Sequence, residues 1–160
     1  MSDVTPEIES YIAQLRDLRA EVVKGIDGLP AEALNWKPSA PDTNSLYVLA
    51  AHLAGGESWW IHQVVGGVDV HRNRASEFVA VGDDANTLKA KLDAVARNSE
   101  QILRGLSEAD LVKERTADRT AGVQARSTRW CILHVIEHLA RHVGHIELTR
   151  QLWAHEHKAA

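Results

Sequence analysis

Apolar residues return every three or four positions in four separate stretches of this chain, the signature of amphipathic helices. The first stretch opens at Thr5-Pro6, a capping hydroxyl followed by a proline, whose missing N–H costs a first turn nothing. Ile8, Ile12, Leu15, Leu18, Val22 and Ile26 form its stripe, and Gly28 and Pro30 end it. The second opens near Asn44-Ser45 and runs through "LYVLAAHLAGGESWWIHQVV" to Gly66-Gly67. The third opens near Asn86-Thr87, with Leu88, Leu92, Val95, Ile102, Leu103 and Leu106 as its stripe. The fourth opens near Ser127-Thr128 and reaches about Trp153. No strand is expected between them, although "SEFVAV" reads as a short extended piece. Four such stripes bury best against one another, so the sequence predicts an all-α four-helix bundle, one domain over residues 1–160. The connections are long, roughly 18, 20 and 21 residues against a usual 2–8. Such lengths allow crossovers between parallel helices. Two connections also open alike. "KGIDGLPAEALNW" and "RGLSEADLVKE" both read as a helix exit followed by a helical turn, or as the trace of two similar helical pairs.

Composition narrows the function classes. The net charge is −4 and no basic stripe carries interleaved aromatics, which argues against a nucleic-acid partner. One cysteine, Cys131, permits no internal disulfide. "MSDVTPEIES" lacks the basic start and apolar run of a signal peptide, and no apolar stretch is long enough to span a bilayer. A cytoplasmic address and no membrane partner are therefore expected.

Nine histidines stand out, and four of them fall in "HVIEHLARHVGHIE". A helix advances about 100° per residue. With His134 at zero, His138 lies at about 40°, His142 at about 80° and His145 at about 20°, so all four share one stripe. Two imidazoles at i and i+4 can point at one ion, and both His134–His138 and His138–His142 have that spacing. On the second helix His52 stands alone, followed by Gly55 and Gly56 on the same face. Glycine inside a helix costs roughly 1 kcal/mol relative to alanine. The pair makes sense where space is wanted, for a ligand or for a close helix neighbour. Trp59 and Trp60, one turn on, could wall that space. Cys131, at about 60° on the stripe, either faces the site or fills the core. No glutamate precedes a histidine by three residues, which excludes a carboxylate-bridged di-iron bundle. Glu137 lies at about −60° from His134, and Glu57 at about 140° from His52, so neither offers an obvious base.

"STRWCILHVIEHLARHVGHIELTRQLW" resembles the last helix of the DinB-like family of small metal-binding bundles. "NSLYVLAAHLAGGESWW" resembles its second helix and "LPAEALNWKP" its first loop, so the likeness covers nearly the whole chain. It is nearest an actinobacterial-type subgroup of unassigned activity, in which position 138 is often glutamate; here it is histidine. The resemblance implies that His52, His138 and His142 ligate one divalent ion such as zinc or nickel. It leaves His134 and His145 outside the ligand set. From their places one turn before His138 and three residues after His142, these two are expected to touch a ligand or a substrate, as are Trp59 and Trp60 one turn after the glycines; for His145 the alternative is that it caps helix packing or meets solvent. Relatives include thiol S-transferases that use mycothiol, bacillithiol or glutathione, and they are often homodimers. A thiol-dependent transferase acting on a small electrophile is thus the first functional expectation. A metal-dependent hydrolase on the same histidines is the second, and a stress-related metal- or ligand-binding protein without turnover is the third.

Overall fold

A computed structural model describes residues 4–119 and 122–157. Four long helical elements dominate it: α1 (Pro6–Ile26), α3 (Leu46–Glu57) continued by a π-helical stretch (Ser58–Val65), α5 (Asn86–Arg104) and α7 (Thr128–His157). The connections hold three short helices, α2 (Ala31–Asn35), α4 (Arg74–Glu77) and α6 (Glu108–Leu111). The two glycine-leucine exits thus both lead into a single helical turn. The expected caps form, with Thr5 Oγ1 accepting from Ile8 N–H and Ser45 Oγ from Val48 N–H. Leu15, Leu53, Ile61, Leu92, Leu103, Ile132 and Leu139 are fully buried between the helices. The fold is all-α apart from one small hairpin.

Side-chain pairs fix the helix directions. Glu7 at the start of α1 pairs with Arg129 at the start of α7 (2.7 Å), and Arg150 late in α7 donates to the carbonyl of Lys24 late in α1 (2.5 Å). These two helices are therefore parallel. Arg104 meets Glu9 and Lys89 meets Asp27, so α5 runs against α1. His52 meets His138 and Trp60 meets Trp130, so α3 runs against α7. The order is up, down, down, up. Consecutive parallel helices α3 and α5 need a connection that travels back along the bundle, and residues 66–85 make that journey. The long second connection is this crossover, and it carries α4 past His52.

Two expectations fail here. "SEFVAV" is not extended: Ser76 and Glu77 close α4 and the next residues turn. The expected absence of strands is also corrected. β1 (Glu114–Arg119) and β2 (Gly122–Ser127) pair antiparallel, with Thr116 opposite Ala125. These strands carry few apolar residues: among the described side chains only Ala117 reaches the core, while Val123 lies in solvent. Alternation was therefore too weak to read. The hairpin is tied to the start of α7, where Thr128 N–H donates to the Lys113 carbonyl (2.9 Å) and Arg115 Nε to Thr128 Oγ1 (2.9 Å). No described helix is long and apolar enough to cross a membrane.

Candidate metal centre

Antiparallel packing of α3 on α7 sets His52 against the histidine stripe. The Nε2 atoms of His52 and His138 lie 3.1 Å apart. His142 joins them, its ring centroid 5.3 Å from that of His52 and 4.7 Å from that of His138. One ligating nitrogen from each falls within 4.8 Å of the others, a group that could hold a metal ion. Tetrahedral nitrogen ligands at 2.0–2.1 Å from zinc sit about 3.3 Å from one another, close to the 3.1 Å between His52 and His138. His134 is not part of the cluster. Its ring lies 6.3 Å from that of His138, so of the two i, i+4 pairs only His138–His142 joins His52.

The electrostatics suit a cation. Burial, then the neighbouring His142 and His52, pushes His138 down to about 3. Burial, then His52, takes His142 down to about 4. Both rings are therefore neutral at pH 7, with lone pairs free to donate, as metal ligation requires. The donor set, imidazole nitrogen three times over, matches zinc and its neighbours in the first transition row.

His52 has a partner that sequence reasoning missed. Its Nδ1 lies 2.8 Å from Glu77 Oε2. Glu77 is buried and is gripped in turn by Arg72, Nε to Oε1 at 2.7 Å and Nη2 to Oε2 at 2.8 Å. Burial works to raise the Glu77 carboxyl, but the bonds from His52 and Arg72 outweigh it and hold the group below its ordinary range. Phe78 lies against the His52 ring, centroids 4.9 Å apart. Glu137 and Glu57 were the carboxylates weighed from the sequence, and Glu77 was not among them. Glu77 stands 25 positions from His52 on the crossover, where helical spacing gives no signal.

The glycine pair now has its reason. A methyl on Gly55 would overlap Glu77 Oε1, and one on Gly56 would come within 3.1 Å of His138 Cε1. The space serves the His138 ring and the carboxylate behind His52. The tryptophans do not wall that space. Trp60 packs edge-on against His134 (4.9 Å) and Trp130 (5.5 Å), His134 stacks flat on Trp130 (4.8 Å), and Trp59 leans on Trp60 (4.7 Å). This aromatic cluster closes the end of the stripe nearest the hairpin.

At the other end, His145 Nδ1 lies 3.1 Å from His142 Nδ1, although the His145 side chain is exposed. A pocket of about 470 Å³ opens there, lined by His142 and His145 together with Leu49, Leu148, Leu152 and Asp42. Cys131 is fully buried, and burial takes its thiol up to about 11, so it fills the core. Glu137 binds Arg141 and faces His134 at 3.6 Å. Glu57 also turns away from the histidines, into a buried ion pair with Arg19 (3.1 Å).

Known proteins place these features. The sequence profile described as mycothiol-S-transferase matches residues 11–154. Among curated proteins none matches. Solved structures share the fold, among them the following three. A DinB-like protein from Bacillus cereus aligns with a TM-score of 0.71 at 17% identity, covering 91% of this chain and 92% of that one. A conserved protein from Enterococcus faecalis gives 0.70 at 16%, covering 90% and 95%. A DinB-like protein from Bacillus subtilis gives 0.63 at 19%, covering 92% of each. A match this long, over a bundle whose inner face gathers three histidines consistent with metal binding, is decisive for kinship: the chain belongs to the mycothiol-S-transferase family of DinB-like proteins.

Proposed function

We propose that this protein is a metal-dependent S-transferase that joins a low-molecular-weight thiol to a small electrophile, with His52, His138 and His142 holding one divalent ion, zinc or nickel. The observation that carries the reading is the convergence of three imidazoles, two of them held neutral, with no fourth protein ligand among the described residues. Three protein ligands and an open position mark catalytic rather than structural sites. A divalent ion there supplies a positive charge that makes a thiol a nucleophile at neutral pH.

The chain's own residues do the rest. Leu49, Leu148 and Leu152 give the pocket beside His142 an apolar wall for the body of the electrophile. Its one carboxylate, Asp42, and its lack of lysine or arginine disfavour an anionic substrate. His145 steadies His142 through Nδ1. The tryptophan cluster stands at the opposite end of the stripe. A hydrolase on the same site would want a carboxylate free to take a proton from water. Glu77 is committed to His52 and Arg72, which favours the thiol reading.

The test is to incubate the metal-loaded protein with a halogenated arene or a bromobimane and with mycothiol, bacillithiol or glutathione in turn. The expected outcome is a thioether, formed as halide and the thiol proton depart, well above a His138→Ala control. Thiol-free ester hydrolysis with no conjugate from any thiol would favour the hydrolase. Metal binding without either product would leave a binding protein.

A further inference from the structure

A crossover loop has no packing reason to bury a carboxylate and an arginine against a histidine. Glu77 is 5% exposed, yet it closes a helix of only four residues on a connection that runs along the bundle surface. Burying that charge is costly unless every lone pair is met. Here the fork of Arg72 takes both oxygens, and Oε2 also receives His52 Nδ1. Among the described residues, the side chains that bond Glu77 are His52 and Arg72. The first is the imidazole that faces His138 through the other nitrogen.

Two further observations show that α3 is shaped to admit it. Gly55 sits where any side chain would displace Glu77 Oε1, and that absence costs the helix roughly 1 kcal/mol of intrinsic stability. Phe78 then packs against the His52 ring at a 41° tilt, so the imidazole has an apolar neighbour as well as its partner at Nδ1. Asn73 Oδ1 accepts from Ser76 N–H and sets the turn that delivers Glu77.

We infer that Glu77, locked by Arg72 and admitted by Gly55, is the positioning residue that holds the proton of His52 on Nδ1 and leaves Nε2 bare to ligate. A neutral imidazole carries one N–H, and the partner of one nitrogen decides which one donates its lone pair. A carboxylate can only accept, so the proton sits on the nitrogen that faces it. The crossover therefore acts through His52 and touches neither ion nor substrate. This inference rests on the metal reading proposed above for the purpose of the proton's placement, but the placement itself is a property of the metal-free protein.

The experiment has two readouts on wild type, Glu77→Ala and Gly55→Ala, with folding checked by circular dichroism. Long-range 1H–15N correlation spectra of the metal-free proteins report the His52 tautomer. Competition with a chromophoric chelator reports zinc affinity. The wild type is expected to carry His52 as Nδ1–H. Both variants should lose that single tautomer and bind zinc about 10–100-fold more weakly. Gly55→Ala displaces the carboxylate without removing it, so the claim stays testable if Glu77→Ala does not fold. An unchanged tautomer and zinc affinity within twofold of wild type in a folded variant would overturn the inference. A wild type that binds no zinc, with the tautomer shifting as expected, would sink the metal reading and leave the lock standing.

Discussion

His138 and His142 spend their lone pairs inward, and that has a consequence for the metal-free protein in acid. Their folded pKa values, about 3 and about 4, lie below the ordinary 6.5. As pH falls below 6.5 the unfolded chain therefore binds protons that the folded chain refuses. The contribution is fully present above about 6.5 and is lost as pH drops towards 4 and 3. Each withheld proton steepens the loss by about 1.4 kcal/mol per pH unit. Urea titrations of metal-free protein between pH 7 and pH 4 should show this slope, and His138→Gln should flatten it. Equal slopes in the two proteins would mean that His138 titrates normally. At this scale most of the candidate site was legible in the sequence. A 100° step places four histidines on one stripe with no knowledge of the fold. Glu77 was not legible, because its relation to His52 exists only once the crossover is laid down.

Between elements, the bundle is pinned by a buried ion pair as well as by its apolar stripes. Arg19 on α1 reaches Glu57 at the end of α3, and both are almost wholly buried. One turn along, His62 sits in the same interior with Ser58 Oγ at 3.2 Å, Ser99 Oγ at 3.1 Å and the Val95 carbonyl at 3.3 Å. Burial lowers the pKa of His62, so it stays neutral there. The chain is π-helical from Ser58 to Val65, where Ser58 and His62 lie, a departure often found where side chains must be re-aimed. Removing one partner of a buried pair strands the other charge. Glu57→Ala should therefore destabilise the protein by about 3 kcal/mol in urea, while leaving its metal content unchanged. A loss under 1 kcal/mol would show that water solvates Arg19 adequately. Helix identity and caps were readable because Thr5, Ser45 and the stripes announce themselves locally. The hairpin was not, because its fixing interactions come from Lys113 and Thr128 rather than from alternating apolar residues.

For the molecule as a whole, the core is sufficient without an ion. Four helices bury a continuous interior from Ile8 to Ile146, unlike a zinc finger, whose folding is its metal binding. Chelation at 25 °C should leave the helical circular dichroism intact. It should also lower the melting temperature, since zinc at 100 times its Kd adds about 2.7 kcal/mol by mass action. Unfolding on chelation would make the centre structural. The sequence foretold long connections and the freedom to cross over. It did not foretell which connection crosses, because that depends on ion pairs such as Glu7–Arg129 that join helices more than a hundred residues apart. The central claim is that His52, His138 and His142 together hold one divalent ion, and the metal content of protein purified without chelator or nickel resin tests it most directly. The account predicts about one zinc or nickel per chain in the wild type and almost none in His138→Ala or His142→Ala; undiminished metal in those two variants would contradict it.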